Sequence, residues 1–588
     1  MTRWVFDLES NGLLDTISTI HCIVLRHIET DEVQTYGPDE IKAALFTLMN
    51  AEEVIGHNII AYDIPALQKV YPGFDILGQV TDTLVLSRLI CTTLAEEDSI
   101  RIIKNPEAFP RKLTGSHSLK AWGLRMGNHK GDYDGGWKNY SAEMLDYCVQ
   151  DTNVTASLYK HFMAQGFSQE SIDLEHRLAE VCLRIGNNGW TFDEPAAIKL
   201  YSTLAQKRQE LEDGLDQLFP PWETTEEFIP KVNNKKLGYV KGEIFMKRKE
   251  IQFNPGSRRH IEFCLTQKYD WKPKKFTNTG HAMIDETVLG GLPYPEAKKL
   301  AEYFLIQKRI GQLAEGPQAW LKKVDDDGKI RHTIVSGGTV SGRAAHRGPN
   351  LAQVPKAGLL FGKECRALFT VPDGWSLLGS DLSGLELRCL AHYLDDNGEY
   401  ARQILEGDIH THNQKAAGLD TRDQAKTFIY ATMYGGGDQL IGKIAGGGSK
   451  KGKALKEAFK KNIPAYAQLQ KNLQMAFKRG HLVGLDGRKL FVRSEHKLLS
   501  QLLQSSGAII CKKWVDLIDG EINRQYPKDA YIVGWIHDEL QIACRTEEVA
   551  QNVGNIARRM AQETGHYFKT KIPIASEFSV GRTWSDTH

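Results

Sequence analysis

The chain has no run of about 18 apolar residues, so it carries no helical membrane span. Its first residues, "MTRWVFDLES", lack the apolar core of a signal peptide, and no targeting tail follows. Nine cysteines, an odd number without a CxxC pair, read as reduced thiols of an intracellular protein. From residue 326 to 588 there is no internal repeat and no low-complexity tract. None of these features indicates a transmembrane helix, a signal peptide or a disulfide framework. What remains is a chain of 588 residues with an ordinary 41% hydrophobic content, enough for roughly three or four domains of about 150 residues.

Net charge is also nearly lacking, at +1, but the cancellation is uneven along the chain. Residues 1–151 hold 13 Lys and Arg against 22 Asp and Glu, a balance of −9. The remainder holds 61 against 51, a balance of +10. Lys443 to Arg493 has 13 basic residues and only Glu457 and Asp486 as acids. A basic half suits a polyanion, and an acidic half suits metal chemistry or partner contacts. Solvated faces distributed unevenly would give the same totals.

Strand-like runs at "RWVFDLES" and "HCIVLRHI" alternate with helical patterns up to about residue 165, which predicts an α/β domain. "SAEMLDYCVQDTNVTASLYKHFM" reads as one long helix with a Ser N-cap. From about 170 to 220 Leu174, Leu178, Val181 and Ile185 recur at helical spacing. Residues 222–254 are polar, Lys-rich and without periodicity, which predicts a flexible or irregular tip between helices, either a connector or a basic functional loop.

Two sets of carboxylates carry the chemistry. Asp7 and Glu9, two apart in a probable strand, project from one face. Asp63 follows "HNIIAY", and Asp151 closes "YCVQD" four residues after Tyr147 on the same helix face. Four acids beside apolar residues in one domain could hold two Mg²⁺ ions and cleave a phosphodiester, with Tyr147 orienting the attacking water. Each acid alone could equally be a surface group or a helix cap. In the basic half, "WSLLGSDLSGLELRCLAHYL" reads as a strand ending at Asp381 followed by a helix. "YIVGWIHDELQIAC" reads as two strands around a turn carrying His537, Asp538 and Glu539. A strand-end acid beside a hairpin-tip acid suits Mg²⁺ bound together with phosphates, although an acidic turn can be merely solvated.

"TRDQAKTFIYATMYG" places Arg422, Lys426, Tyr430 and Tyr434 at four-residue intervals, along one helix face. Thr421 and Gln424 make a capping box that starts the helix there. Its N-terminal dipole and two cations suit phosphates, with His410 close by in sequence, and the phenols would meet something flat. A solvated basic helix with two half-buried tyrosines is the other reading.

These stretches together resemble family A (Pol I-like) DNA polymerases, most closely the replicative enzymes of T-seven-like bacteriophages. "FDLES", "HNIIAYD" and "YCVQD" are similar to the family's three proofreading-exonuclease motifs. "SDLSGLELR" and "IHDEL" resemble its palm motifs, and "RDQAKTFIYATMYG" its fingers helix; the order is the family's over nearly the whole chain.

The resemblance implies an RNase H-like 3′–5′ exonuclease domain at 1–165, followed by a right-hand polymerase within a multidomain α/β fold. The thumb would occupy 166–325 with its tip at about 222–254, and the palm 326–588 with fingers at about 400–505. It implies deoxynucleotidyl transfer from dNTPs to a primer 3′-hydroxyl during phage DNA replication in the host cytoplasm. Two Mg²⁺ ions per active site would sit on Asp381 and Asp538, and on Asp7, Glu9, Asp63 and Asp151.

Residue by residue it implies that His410, Arg422 and Lys426 bind the triphosphate, with Lys426 the proton donor to pyrophosphate. Tyr430 would lie against the sugar, and as Tyr it implies acceptance of dideoxynucleotides. Glu386 would exclude a 2′-hydroxyl, Tyr434 would stack near the templating position, and Glu539 and His537 would support the metals and the primer end. Arg343 and Gln504 would read minor-groove acceptors, a check of pairing geometry rather than sequence. Ser500 stands where the family generally has Asn. A helicase-primase partner is implied beside primer-template DNA. The tip is shorter than the thumb insertion that recruits host thioredoxin in the T-seven type, which counts against that partnership.

Two other readings stand beside this one. An exonuclease with a non-catalytic nucleic-acid-binding half is opposed by Asp381, Asp538 and Lys426. A single-subunit RNA polymerase is opposed by Glu386 and the exonuclease motifs.

Overall fold

The computed structural model describes residues 2–277 and 279–588, and its contacts divide the chain into two compact units. The first comprises Met1–Trp190, Arg331–Gln353 and Val371–His588; the second comprises Thr191–Ile330 and Val354–Thr370. No described helix is long and apolar enough to cross a membrane.

The first unit begins with a five-stranded mixed sheet. Its strands are β1 (Arg3–Ser10), β2 (Ile20–His27), β3 (Val33–Tyr36), β4 (Glu53–Gly56) and β5 (Gln79–Asp82), in the order β3-β2-β1-β4-β5. β1 is antiparallel to β2 and parallel to β4, as the short crossover through the helix Ile41–Met49 requires. The run expected to be one long helix is Ala142–Met163, and Ser141 caps it by accepting from the Met144 N–H. The next helix, Gln169–Asn188, buries Leu174, Leu178, Val181 and Ile185, and ends at Gly189 with φ +63°.

Further along the same unit, a four-stranded antiparallel sheet contains β6 (Ser376–Leu382), β7 (Ala530–Ile536), β8 (Glu539–Cys544) and β9 (Ser576–Gly581), in the order β7-β8-β6-β9. The helices Leu498–Gln525 and Glu547–Tyr567 back it, tied by the buried Trp514 indole donating to the Ala557 carbonyl at 2.9 Å. Short helices from 409 to 478 form a lobe around Phe428, Phe459 and Tyr466, whose rings meet edge to face.

A wholly buried ionic network crosses this unit. Arg488 donates to Glu175 at 2.8 Å and to Asp486 at 2.6 Å, and Lys512 also pairs with Glu175. Burial alone would raise the Glu175 carboxyl, but the Lys512 and Arg488 charges hold it down at about 2.

The second unit pairs the helices Glu194–Leu218 and Pro295–Ile310, bridged by Lys207 to Glu302 at 3.1 Å, and Arg208 reaches Glu315, just past the second helix, at 2.9 Å. The stretch 222–254 differs from the expectation of an irregular tip. Trp222–Phe228 and Phe245–Ile251 pair antiparallel in a regular hairpin. Both faces are largely exposed, so no apolar alternation marked it. The register is set instead by cross-strand pairs, Glu226 opposite Lys247 and Phe228 opposite Phe245, with the Lys247 ammonium 3.5 Å above the Phe228 ring.

Candidate functional site

Two groups of carboxylates form, each positioned by a sheet. In the first, Asp7 and Glu9 point from the same face of β1. Asp63 opens the helix Asp63–Val70, and Asp151 lies buried within Ala142–Met163. The oxygens of Asp7 and Glu9 and the Cys148 sulfur lie within 4.8 Å of one another, and the Cys148 thiol donates to Asp7 at 3.5 Å. Burial raises all four acids, and their mutual charge adds to it for Glu9, Asp63 and Asp151. Glu9 is pushed up to about 10 and Asp151 to about 7. One cation answers them: Lys130 pairs with Asp151 and lies 4.6 Å above the Tyr147 ring. The Asp151 Oδ1 is buried without a hydrogen-bond partner among the described residues. A surplus of buried carboxylate and an orphaned oxygen fit divalent cations.

In the second group, Asp381 is exposed on β6 and faces Glu539 across the ladder to β8. The Leu382 N–H donates to the Asp538 carbonyl at 3.1 Å, which places Asp538 beside Asp381 where the β7–β8 turn begins. That turn is two residues long, and His537 holds the left-handed φ of +60° it requires. Burial raises both acids; the Asp538 and Glu539 charges raise Asp381 further, and the Glu386 charge raises Asp538. These like charges too would be balanced by divalent cations.

Glu539 itself is engaged by other groups. It accepts from the Trp584 indole at 2.6 Å and the Gln541 amide at 2.7 Å, and pairs with His588 at 2.8 Å. Burial would raise it, but these partners hold it below its usual value. It therefore braces the turn, with both oxygens in use.

The row of four takes shape on the helix Arg422–Met433, started by the expected capping box. Ala425, Phe428, Ile429, Thr432 and Met433 face the core; Arg422 and Lys426 are exposed and Tyr430 is half-buried. Tyr434 is the C-cap residue and donates to Glu386 at 2.9 Å, and Arg343 pairs with the same carboxylate at 3.5 Å. Burial and then the Glu386 and Asp538 charges raise the Tyr430 phenol, so the aromatic end of the row faces the second acid group. At the cationic end the His410 ring is 6.5 Å from the Tyr430 ring and feels Arg422, Asp408 and Lys426; its Nδ1 is buried without a partner among the described residues. Arg343, Glu386, His537 and Asp538 line one small cavity. Gln504, next in sequence to the lining residue Leu503 on Leu498–Gln525, donates to Ser500 at 3.0 Å.

Several members were invisible in the sequence. Asp408 holds Arg422 at 2.6 Å while capping the helix Ile409–Ala417, and it sits 14 residues from its partner. Lys130 lies in an irregular segment with no periodic pattern to mark it. His588 reaches Glu539 across 49 positions. In each case the partner is set by tertiary packing alone.

Comparison with known proteins gives a consistent picture. Residues 226–586 match the model of DNA polymerase family A. The chain is 37% identical over 705 aligned positions to the DNA-directed DNA polymerase of Enterobacteria phage T3, covering 99% of this chain and 100% of that protein. It is 37% identical over 706 positions to the DNA-directed DNA polymerase of Escherichia phage T7, with the same coverage. Both alignments exceed the 588 residues of this chain, so each relative carries more than a hundred positions without a counterpart here. The fold resembles a solved structure titled the POL domain of Pol1 from M. smegmatis in complex with DNA primer-template and dNTP. The TM-score is 0.74, the identity 16%, and the match covers 99% of this chain and 96% of that one.

Proposed function

The chain belongs to DNA polymerase family A, and from that membership we propose how its two acid groups divide the work of a DNA-directed DNA polymerase of the T7-like phage kind. The observation that carries the reading is the meeting of the Tyr430 end of the cation–phenol row with Asp538 and Glu386. On this reading Arg422, Lys426 and His410 receive a triphosphate whose reacting end is held at the Asp381–Asp538 pair.

Asp381 and Asp538 hold Mg²⁺, as do Asp7, Glu9, Asp63 and Asp151 in the first group; when bound, the ions supply Lewis-acid charge to the attacking and leaving oxygens. Arg422 and His410 take phosphate oxygens, and Lys426 delivers a proton to departing pyrophosphate. Asp408 keeps the Arg422 guanidinium aimed until an anion shares it. Tyr430 packs on the deoxyribose. Glu386, fixed by Arg343 and Tyr434, fills the space a 2′-hydroxyl would need and thereby selects dNTPs. Arg343 and Gln504 face the minor groove of the primer-template, and His537 and Glu539 hold the turn that carries Asp538. The primer-template and dNTP named in the Pol1 title would occupy these places.

The first group is a 3′–5′ exonuclease that removes mispaired primer ends, with Tyr147 orienting water. The domains follow as an exonuclease at 1–165, a thumb at 166–325 and a palm with fingers at 326–588. The strands of the hairpin at 222–251 pair with each other in a short tip; the short tip counts against a thioredoxin partner, and the polymerase works beside a helicase-primase.

Primer extension on a long single-stranded template, with Mg²⁺ and dNTPs and with or without thioredoxin, tests the reading. Extension of equal length in both lanes is expected. A protein that shortens the primer and never lengthens it leaves only the exonuclease reading, and thioredoxin-dependent length overturns the partner-free thumb.

A further inference from the structure

Among the described residues one group gathers three metal-ligating side chains, and one of its donors is a sulfur. Asp7 and Glu9 come from β1, and Cys148 from the helix Ala142–Met163, which packs across β1 and β2. Cys148 and Asp151 are three positions apart, so the helix turns both toward the same side. Cys148 is wholly buried, against Cys22, Val24 and Met144.

A buried thiol commonly does no more than fill space. Two observations go beyond filling here. The Cys148 sulfur lies 3.5 Å from the Asp7 Oδ2. Two donors on one tetrahedral ion, with bonds of about 2.1 Å to oxygen and about 2.3 Å to sulfur, stand about 3.6 Å apart. Glu9 offers an oxygen within 4.8 Å of the other two donors, an excess of at most about 1.2 Å that a carboxylate rotation covers. The second observation is Asp151, which is 2% exposed, pairs with Lys130 through Oδ2, and keeps Oδ1 buried without a hydrogen-bond partner among the described residues. Its charge acts on Glu9, and that of Asp7 acts on it, so the orphaned oxygen belongs to the same group.

The donor set says which ion. Oxygen ligands alone suit Mg²⁺ and Ca²⁺, whereas a thiolate among them selects softer ions such as Zn²⁺. The second acid group differs in this respect. Cys511, on the wall of the cavity that Asp538 lines, gives its proton to the His537 carbonyl and not to a carboxylate.

We propose that Asp7, Glu9 and Cys148 form a mixed oxygen–sulfur site for a thiophilic divalent cation of the Zn²⁺ class, with Asp151 as the neighbouring fourth donor. Binding breaks the Cys148 S–H bond, forms a metal–sulfur bond and releases the proton to solvent, with no transfer of electrons. Trace Zn²⁺ is then captured at the first acid group while Mg²⁺ serves the second. The inference rests on the reading of the first group as a metal centre.

The test titrates metal-free, full-length protein with Co²⁺ alone and reads the near-ultraviolet thiolate-to-Co²⁺ charge-transfer band at one equivalent. Wild type should show the band. Cys148→Ser and Asp7→Asn/Glu9→Gln should lack it, and Cys22→Ser, which removes only the neighbouring thiol, should keep it. Zn²⁺ should bleach the band. Competition with a fluorescent Zn²⁺ chelator should show at least a tenfold weaker hold in Cys148→Ser, since losing a mere hydrogen-bond partner of a ligand already costs about 10- to 100-fold. Cys148→Ala is a second sulfur-free variant, and matched-primer extension with Mg²⁺ reports that each protein is folded.

A wild type without the band overturns the proposal. So does a band that survives in folded Cys148→Ser or Cys148→Ala, or equal Zn²⁺ affinity in wild type and both variants. The readings beneath it fail separately. If Mg²⁺ stabilises wild type more than Asp7→Asn/Glu9→Gln and neither shows a band, the metal centre stands and the sulfur ligand falls. A Cys148-dependent band in a protein that shortens no primer keeps the sulfur ligand and removes the exonuclease reading.

Discussion

At Tyr430 the proposed function makes a single oxygen the expected determinant of a substrate preference. The half-buried phenol lies where the Glu386 and Asp538 charges both reach it, so its hydroxyl can meet a phosphate oxygen of a nucleotide whose sugar lacks the 3′-hydroxyl. A hydrogen bond to a charged group is worth about 1.5–3 kcal/mol, roughly 10- to 150-fold. Tyr430→Phe should therefore lower dideoxynucleotide incorporation by that factor relative to dNTP, measured by competitive single-nucleotide extension, with normal dNTP extension nearly unchanged. Equal use of ddNTP by both proteins would remove the hydroxyl from the account. A second residue-scale effect comes from His332 and His346, stacked at 5.5 Å with all four ring nitrogens buried and without a hydrogen-bond partner among the described residues. Burial lowers them to about 3 and about 4, against about 6.5 in an unfolded chain. Between those values the unfolded state binds protons that the folded state refuses, so stability falls as pH drops through 6.5. At pH 5 each ring costs about 2 kcal/mol, at about 1.4 kcal/mol per pH unit. His332→Phe should flatten the drop in Tm between pH 7 and 5; an unaltered slope would place the acid sensitivity elsewhere. Neither ring was marked in the sequence, because "RHTIV" and "GRAAHRG" come together only through the pairing of Ile334 with His346.

Elements with one buried face were legible in the sequence, and elements without one were not. The capping box at Thr421, the Ser141 cap and the stripe Leu174–Ile185 follow local rules that act within one or two turns, and each holds in the structure. The hairpin Trp222–Ile251 was missed because its information is cross-strand, held in pairs such as Glu226 with Lys247, some twenty positions apart. Both acid groups were found as motifs, whereas their counter-charges Lys130, Asp408 and His588 lie on other elements and carry no local pattern. The Glu175–Arg488–Asp486–Lys512 network belongs to this second kind, joining three elements across more than three hundred positions. Removing its central acid strands Lys512 and part of Arg488 in the core, and breaking such a pair costs about 3–5 kcal/mol. Glu175→Gln should accordingly lower stability by an amount of that order in urea unfolding. The Glu175 carboxyl sits at about 2 folded and near 4.5 unfolded, so its contribution is present above 4.5 and fades as pH falls toward 2. A variant as stable as wild type at pH 7 would mean the network is held by its geometry and not by this charge.

On the scale of the molecule, both acid groups lie in one compact unit, so the independence proposed for them has to come from local chemistry and not from separate units. Among the described residues, the charges that chiefly act on Asp7 and Glu9 are those of Asp151, Lys130, Cys148, Cys22 and each other, none of them in the second acid group. Asp7→Asn/Glu9→Gln should therefore abolish primer shortening and leave extension within about twofold, checked on one mispaired and one matched primer. The same pair sets how the molecule answers metal. With Glu9 pushed up to about 10, the folded state keeps a proton between pH 4.5 and 10 that the unfolded state releases. Folding is then opposed increasingly as pH rises through that window, and without divalent cations wild type should lose stability from pH 6 to 9. Mg²⁺ binding to the ionised folded group reverses this by mass action. In EDTA the Asn/Gln variant should melt above wild type at pH 9, with the gap closing toward pH 6. In millimolar Mg²⁺ wild type should gain several degrees at pH 9 and the variant markedly less. An equal Mg²⁺ response in both proteins would show that the stabilising ion binds at another place, and it would take the first acid group out of metal chemistry while leaving Asp381 and Asp538 in it.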